Sequence, residues 1–91
     1  MSGDKKIVMV GKKPTMNYVL AVVMDFNHGS EYVLVQARGQ NISKAVDVAE
    51  LVKEFVDGID VSAGIGTDRF TGRDGKSLAT SSITVCLRRG D

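Results

Sequence analysis

Short strand-like apolar runs alternate with helix-length segments along this chain, and this order limits the fold more than any other feature. Residues 6–10 (KIVMV) form an apolar run ending at Gly11, as a buried strand does. Residues 16–27 are apolar nearly all round, with Asn17, Asp25 and Asn27 as the clearly polar positions. Such a helix needs cover on more than one side. Pro14 suits the first turn of that helix, where a missing N–H costs nothing. His28-Gly29 is the expected stop. A second strand, 32–37 (YVLVQA), is rich in β-branched residues. Asn41 is a candidate N-cap for a second helix over 42–56.

On that second helix Ser43, Asp47, Glu50 and Glu54 recur at helical spacing and make one polar stripe. The apolar positions cover roughly 220° of its circumference. A helix lying on a sheet uses about half of that, so the surplus predicts contact with a second copy. Beyond Asp57-Gly58, the residues Ile59, Val61, Ala63 and Ile65 alternate as a half-buried strand. Gly64, Gly66 and Gly72 are expected to weaken this strand toward its end. Arg73-Asp74-Gly75-Lys76 is a hairpin signal, with Asp-Gly suited to a type I′ turn. The last strand runs from Leu78 to about Arg88, with Ile83, Val85 and Leu87 toward the core and Cys86 away from it. The expected fold is one α+β domain over 1–91, a two-layer β-α-β-α-β-β sandwich with both helices on one face of the sheet.

A length of 91 residues suits a single domain. No apolar stretch is long enough for a transmembrane helix, and residues 1–6 lack the apolar core of a signal peptide. One cysteine cannot close an internal disulfide, so a reducing, cytoplasmic setting is expected. Net charge is only +1, but it is segregated. Residues 46–60 hold five acids and one base, and the rest of the chain holds eleven bases and six acids.

Nothing here favours catalysis. His28, the single histidine, sits at a helix end, and Cys86 has no histidine near it in sequence. No Cys/His spacing matches a metal site, and Gly11-Lys12-Lys13 lacks the second glycine of a phosphate-binding loop. No enzyme, cofactor or metal is expected. The basic residues are more informative. Lys12 and Lys13 follow the first strand, Arg38 follows the second, and Lys44 opens the second helix. Parallel strands of a right-handed β-α-β unit end on the same edge, so these cations should gather there, beside helix N-termini that also attract phosphate. Arg69, Arg73 and Lys76 lie along the closing hairpin, which would reach out as a basic arm.

Two longer stretches carry a family resemblance: GKKPTMNYVLA at 11–21 and ARGQNISKAVD at 37–47. Both resemble signatures of the Alba family of archaeal chromatin proteins, and the similarity extends through the closing hairpin. The resemblance implies the fold of the C-terminal domain of translation initiation factor three. It also implies a homodimer whose two hairpins embrace double-stranded DNA with little sequence preference, for chromatin organisation, with RNA as a further partner. The implied contacts are Lys12, Lys13, Tyr18, Arg38, Gln40, Asn41, Lys44, Arg69, Arg73 and Lys76. Lys12 matches a lysine acetylated in some members, which implies a deacetylase as partner and a chromosome-associated, cytoplasmic location. Gln40 stands where many members have arginine. That difference and the low net charge motivate an alternative: a variant preferring structured RNA or selected DNA sites, with no bulk chromatin-coating role.

Overall fold

A computed structural model describes residues 6–90. The leader expectation for the N-terminus therefore falls mostly outside the described residues. The elements are β1 (Lys6–Met9), α1 (Thr15–Asn27), β2 (Tyr32–Arg38), a 3-10 turn (Gly39–Asn41), α2 (Ile42–Phe55), β3 (Ile59–Thr71) and β4 (Ser77–Arg89). They form the expected α+β arrangement. The sheet order is β1-β2-β4-β3, with β1 parallel to β2 and the other pairs antiparallel. Both helices pack on one face.

Period-two burial builds that face. Val33, Val35 and Ala37 of β2 and Ile83, Val85 and Leu87 of β4 are all buried, while the residues between them are half-buried on the open side. Helix α1 adds Val19, Val22 and Phe26, and α2 adds Ala45, Val48, Ala49 and Val52. These follow helical spacing, so each helix presents one stripe to the sheet. Burying a side chain the size of Phe26 or Leu87 contributes about 1.5–3 kcal/mol. At the end of α1, Ser30 N–H donates to Asp25 O and Gly29 N–H to Phe26 O, each at 3.0 Å, with Gly29 at φ 101°. This is a Schellman closure, and glycine enters the left-handed region there without a Cβ clash. The Arg89 guanidinium lies 5.5 Å from the Phe26 ring centroid and donates to Phe26 O, tying the last strand to the first helix.

Several sequence expectations are corrected in detail. Pro14 precedes the first helical residue, Thr15, and its carbonyl accepts from Asn17 N–H at 3.0 Å. Helix α2 ends at Phe55, because Val56 is already extended. Asn41 flanks α2 but makes no side-chain cap bond. The 3-10 turn gives it helical dihedrals, φ -85° and ψ -2°, whereas a capping side chain works from an extended backbone.

The hairpin differs more. Its turn is not type I′: among the described residues only glycines have positive φ, so Asp74 cannot occupy a central I′ position. Instead Gly75 N–H donates to Gly72 O at 3.0 Å and Gly75 takes φ 80°, a type I turn closed by a left-handed glycine. Nor do the glycines end the strand. β3 pairs with β4 along its whole length, from Ile59↔Arg89 to Thr71↔Ser77. Finally, Val61 and Ile65 are not half-buried in one chain; Ile65 is 88% exposed. They share the face of Leu87 and Ile83, their cross-strand partners, but α2 lies over β2 and β4 and leaves β3 uncovered.

Candidate nucleic-acid interface

The sheet topology gathers the basic residues at one end. β1 and β2 run parallel in adjacent positions, so residues 11–13 and Arg38 leave the sheet side by side. β2 stops at the Arg38↔Ser82 pair, while β3 and β4 continue past it to their turn. The continuation is a free two-stranded arm about 17 Å long at 3.4 Å per residue. It accounts for the molecule's elongation, 48 Å along the longest axis against 26 Å along the next.

The loop after β1 is held by two side chains. Tyr18 Oη accepts from Gly11 N–H at 2.8 Å and from Lys13 N–H at 3.1 Å. Lys44 Nζ donates to Gly11 O at 2.8 Å and to Lys13 O at 2.9 Å. Four backbone groups of this loop are thereby satisfied from α1 and α2. The Lys12 and Lys13 side chains stay exposed while their backbone is clamped. Tyr18 and Lys44 thus act on the loop as positioning residues, a role that the sequence pattern did not separate from ligand contact.

Across the site, Gly39 turns the chain with φ 55°, and a Cβ there would come within 3.2 Å of Thr80 Oγ1 on the arm. The β2–α2 turn is thus seated against the arm's root, with Gln40 exposed and Asn41 half-buried. Arg38 Nε lies 3.7 Å from Asp68 Oδ2 on β3. With both side chains about half exposed, such a pair contributes about 0–1 kcal/mol, so a phosphate can displace the carboxylate at little cost. Asp68 was missed in the sequence because the β2–β4 and β3–β4 registers together bring it to Arg38 across β4. Arg69, Arg73 and Lys76 are exposed farther out on the arm. Lys12, Lys13, Lys44, Arg38 and the arm's cations thus surround one end of the sheet. The acidic stripe Asp47, Glu50 and Glu54 lies on the solvent side of α2.

Tyr18→Phe tests the clamp. It removes the acceptor of two N–H bonds and no charge. One bond is exposed and the other part-buried, so the freed N–H groups turn to water and each lost bond costs about 0.5–1.5 kcal/mol; nucleic-acid affinity should fall several-fold with an unchanged salt slope. A changed slope, or full affinity, would show that the loop is held otherwise.

Among the described residues no three His, Cys, Asp or Glu side chains gather to hold a metal ion, and no helix is long and apolar enough to cross a membrane. Comparison with known proteins gives concordant matches. The family model named Alba matches residues 6–62. A protein of Methanococcus maripaludis named DNA/RNA-binding protein Alba is 48% identical over 84 residues, spanning 89% of this chain and 94% of its own length. A protein of the same name from Thermoplasma acidophilum is 46% identical over 88 residues, or 94% of this chain and 98% of its own. The solved structure of Alba from Thermoplasma volcanium superposes with a TM-score of 0.86 at 45% identity, covering 92% of this chain and all of that one.

Proposed function

The chain belongs to the Alba family, and from that premise we propose that it is a homodimeric protein that binds duplex DNA through the sugar-phosphate backbone. The observation that carries this reading is the convergence of three basic segments at one end of the sheet: the clamped Lys12–Lys13 loop, the Arg38 turn and the arm. Cations presented on backbone-anchored loops contact phosphates without reading bases, which gives affinity with little sequence preference. Lys12 and Lys13 supply the central contacts, with Arg38 and Lys44 beside them. Tyr18, Gln40 and Asn41 line the same surface, and Arg69, Arg73 and Lys76 follow the duplex along the arm. Chromatin organisation, on the chromosome in the cytoplasm, is the role this mode of binding suits.

The dimer in this reading is supported by the uncovered apolar surface on the helix side of β3. Val46, Val61 and Ile65 are exposed there. Val46 and Val61 flank a groove of about 100 Å³ floored by Ile83 and Val85. In this reading a second copy seated on the groove would give the assembly two arms for one duplex. Lys12 is exposed and near phosphate in this arrangement, so its acetylation would remove one contact charge, and a deacetylase would restore it.

A preference for structured RNA or selected DNA sites is the second reading. It is favoured by the uncharged Gln40 and by the Arg38–Asp68 pair, which together lower the positive charge beside the β2–α2 turn. One titration series separates the two: duplex DNA, duplex RNA and single strands, each at several salt concentrations. Sequence-blind, steeply salt-dependent duplex DNA binding is the expected result. Clear preference for RNA would transfer the role to the second reading, and no binding at low salt would remove both.

A further inference from the structure

The arm carries an apolar feature that phosphate contact leaves unused. Phe70 and Leu78 are direct cross-strand partners, 47% and 46% exposed. They share a face of the ribbon with the Asp68–Thr80 and Gly72–Lys76 positions, and no helix covers it. That face is the opposite one from Val61 and Ile65, so a second copy seated on α2 and β3 does not bury the pair. The local backbone accommodates Leu78: a Cβ on Gly72 would approach its Cδ1 to 3.1 Å, so glycine leaves the room that this side chain occupies.

The surroundings select the partner. By strand register Arg38 at the arm's root and Lys76 beside its turn lie on the pair's own face, while Arg69 lies on the opposite face and Arg73 in the turn. Two acids lie nearby: Asp68, on the pair's own face, stands 3.7 Å from Arg38 Nε, and Asp74 Oδ1 accepts from Lys76 N–H at 3.1 Å in the turn. An apolar pair rimmed by cations matches a ligand with phosphates outside and flat apolar surfaces within. Lys76 stands two residues from Leu78, about 7 Å along the strand, which is two base steps of 3.4 Å. A two-stranded ribbon, with strands ~4.8 Å apart before side chains are added, overfills a minor groove ~6 Å wide. The wider major groove admits such a ribbon as it stands; seating in the minor groove needs that groove opened, and Phe or Leu side chains pressed between base pairs open it from that side.

Resting on the duplex-binding reading above, we propose that Phe70 and Leu78 act together as a wedge, pressing into the minor groove and unstacking one base-pair step of the bound duplex. The phosphate contacts hold the arm down, and the wedge supplies a salt-independent part of the affinity and bends the DNA.

The test uses the full chain and a duplex with one 2-aminopurine per strand. Wild-type protein should raise 2-aminopurine fluorescence on binding. Phe70→Ala/Leu78→Ala should abolish that rise and weaken binding about ten-fold with an unchanged salt slope. Phe70→Trp, which introduces the chain's single tryptophan, should keep wild-type affinity and show tryptophan quenching on the duplex; this second variant serves even if the double one fails to fold. Tight wild-type binding with no 2-aminopurine response, or with no quenching in Phe70→Trp, would overturn the wedge and leave the duplex-binding reading standing. Loss of a higher oligomer in the double variant, by sedimentation without DNA, would also overturn it by making the pair a protein contact. Absence of any wild-type binding would overturn both.

Discussion

Replacing Lys12 and Lys13 together by alanine is expected to weaken duplex binding roughly four thousand-fold at 0.1 M salt. Each phosphate neutralised contributes ~0.9 to the slope of log affinity against log salt. A dimer presents the loop twice, so the double variant loses four contacts and the slope should fall by about 3.6. Extrapolated from 1 M, where the ionic contribution vanishes, that change amounts to three to four decades at 0.1 M. The loss should be equal for unrelated sequences, since backbone contacts carry no base information. Stability should barely move, because both side chains are exposed and the loop is held through its backbone by Tyr18 and Lys44. The measurement is fluorescence anisotropy with two unrelated duplexes over a salt series. An unchanged slope would remove the loop from the binding surface.

Placing aspartates at Val46 and Ile65 is expected to have a comparable effect by a different route. Both side chains are exposed in one chain and lie on the face where α2 leaves β3 uncovered. In a dimer seated on that face they are buried, and an unpaired buried carboxylate costs several kcal/mol. The dimer dissociation constant should therefore rise by at least two decades, about 2.8 kcal/mol at 1.4 kcal/mol per decade. Sedimentation at micromolar concentration should give monomers for the variant and dimers for the wild type. Duplex affinity should fall by 10²–10⁴, because the two arms no longer act at high effective concentration. A variant that stays dimeric would move the interface off this face. A monomeric variant with full affinity would mean that one arm suffices.

The order of elements was legible in the sequence because strand and helix impose different periods. Val33, Val35 and Ala37 alternate, while Ala45, Val48, Ala49 and Val52 recur at helical spacing, and both patterns survive into the core unchanged. Chain punctuation was legible wherever one residue decides it. Gly29 ends α1 in the left-handed region that glycine enters freely. Turn type was not, because Asp-Gly accommodates more than one turn, and the pairing of Gly72 with Lys76 selects among them. The length of β3 escaped for a related reason. Glycine weakens a strand locally, but a full ladder of bonds to β4 outweighs that loss.

The cations were legible as residues and not as a constellation. By itself the sequence determined which segments are strands and helices, which faces are apolar, and that bases cluster in loops. All of these depend on neighbours a few positions away, where spacing and residue type suffice. Only the tertiary structure decided that Lys44, 33 residues from Gly11, joins Tyr18 in clamping the lysine loop. It alone placed Asp68 beside Arg38 and set Phe70 against Leu78 on a bare face of the arm. These contacts depend on strand register and on how far each helix reaches across the sheet, both set by packing the whole core at once.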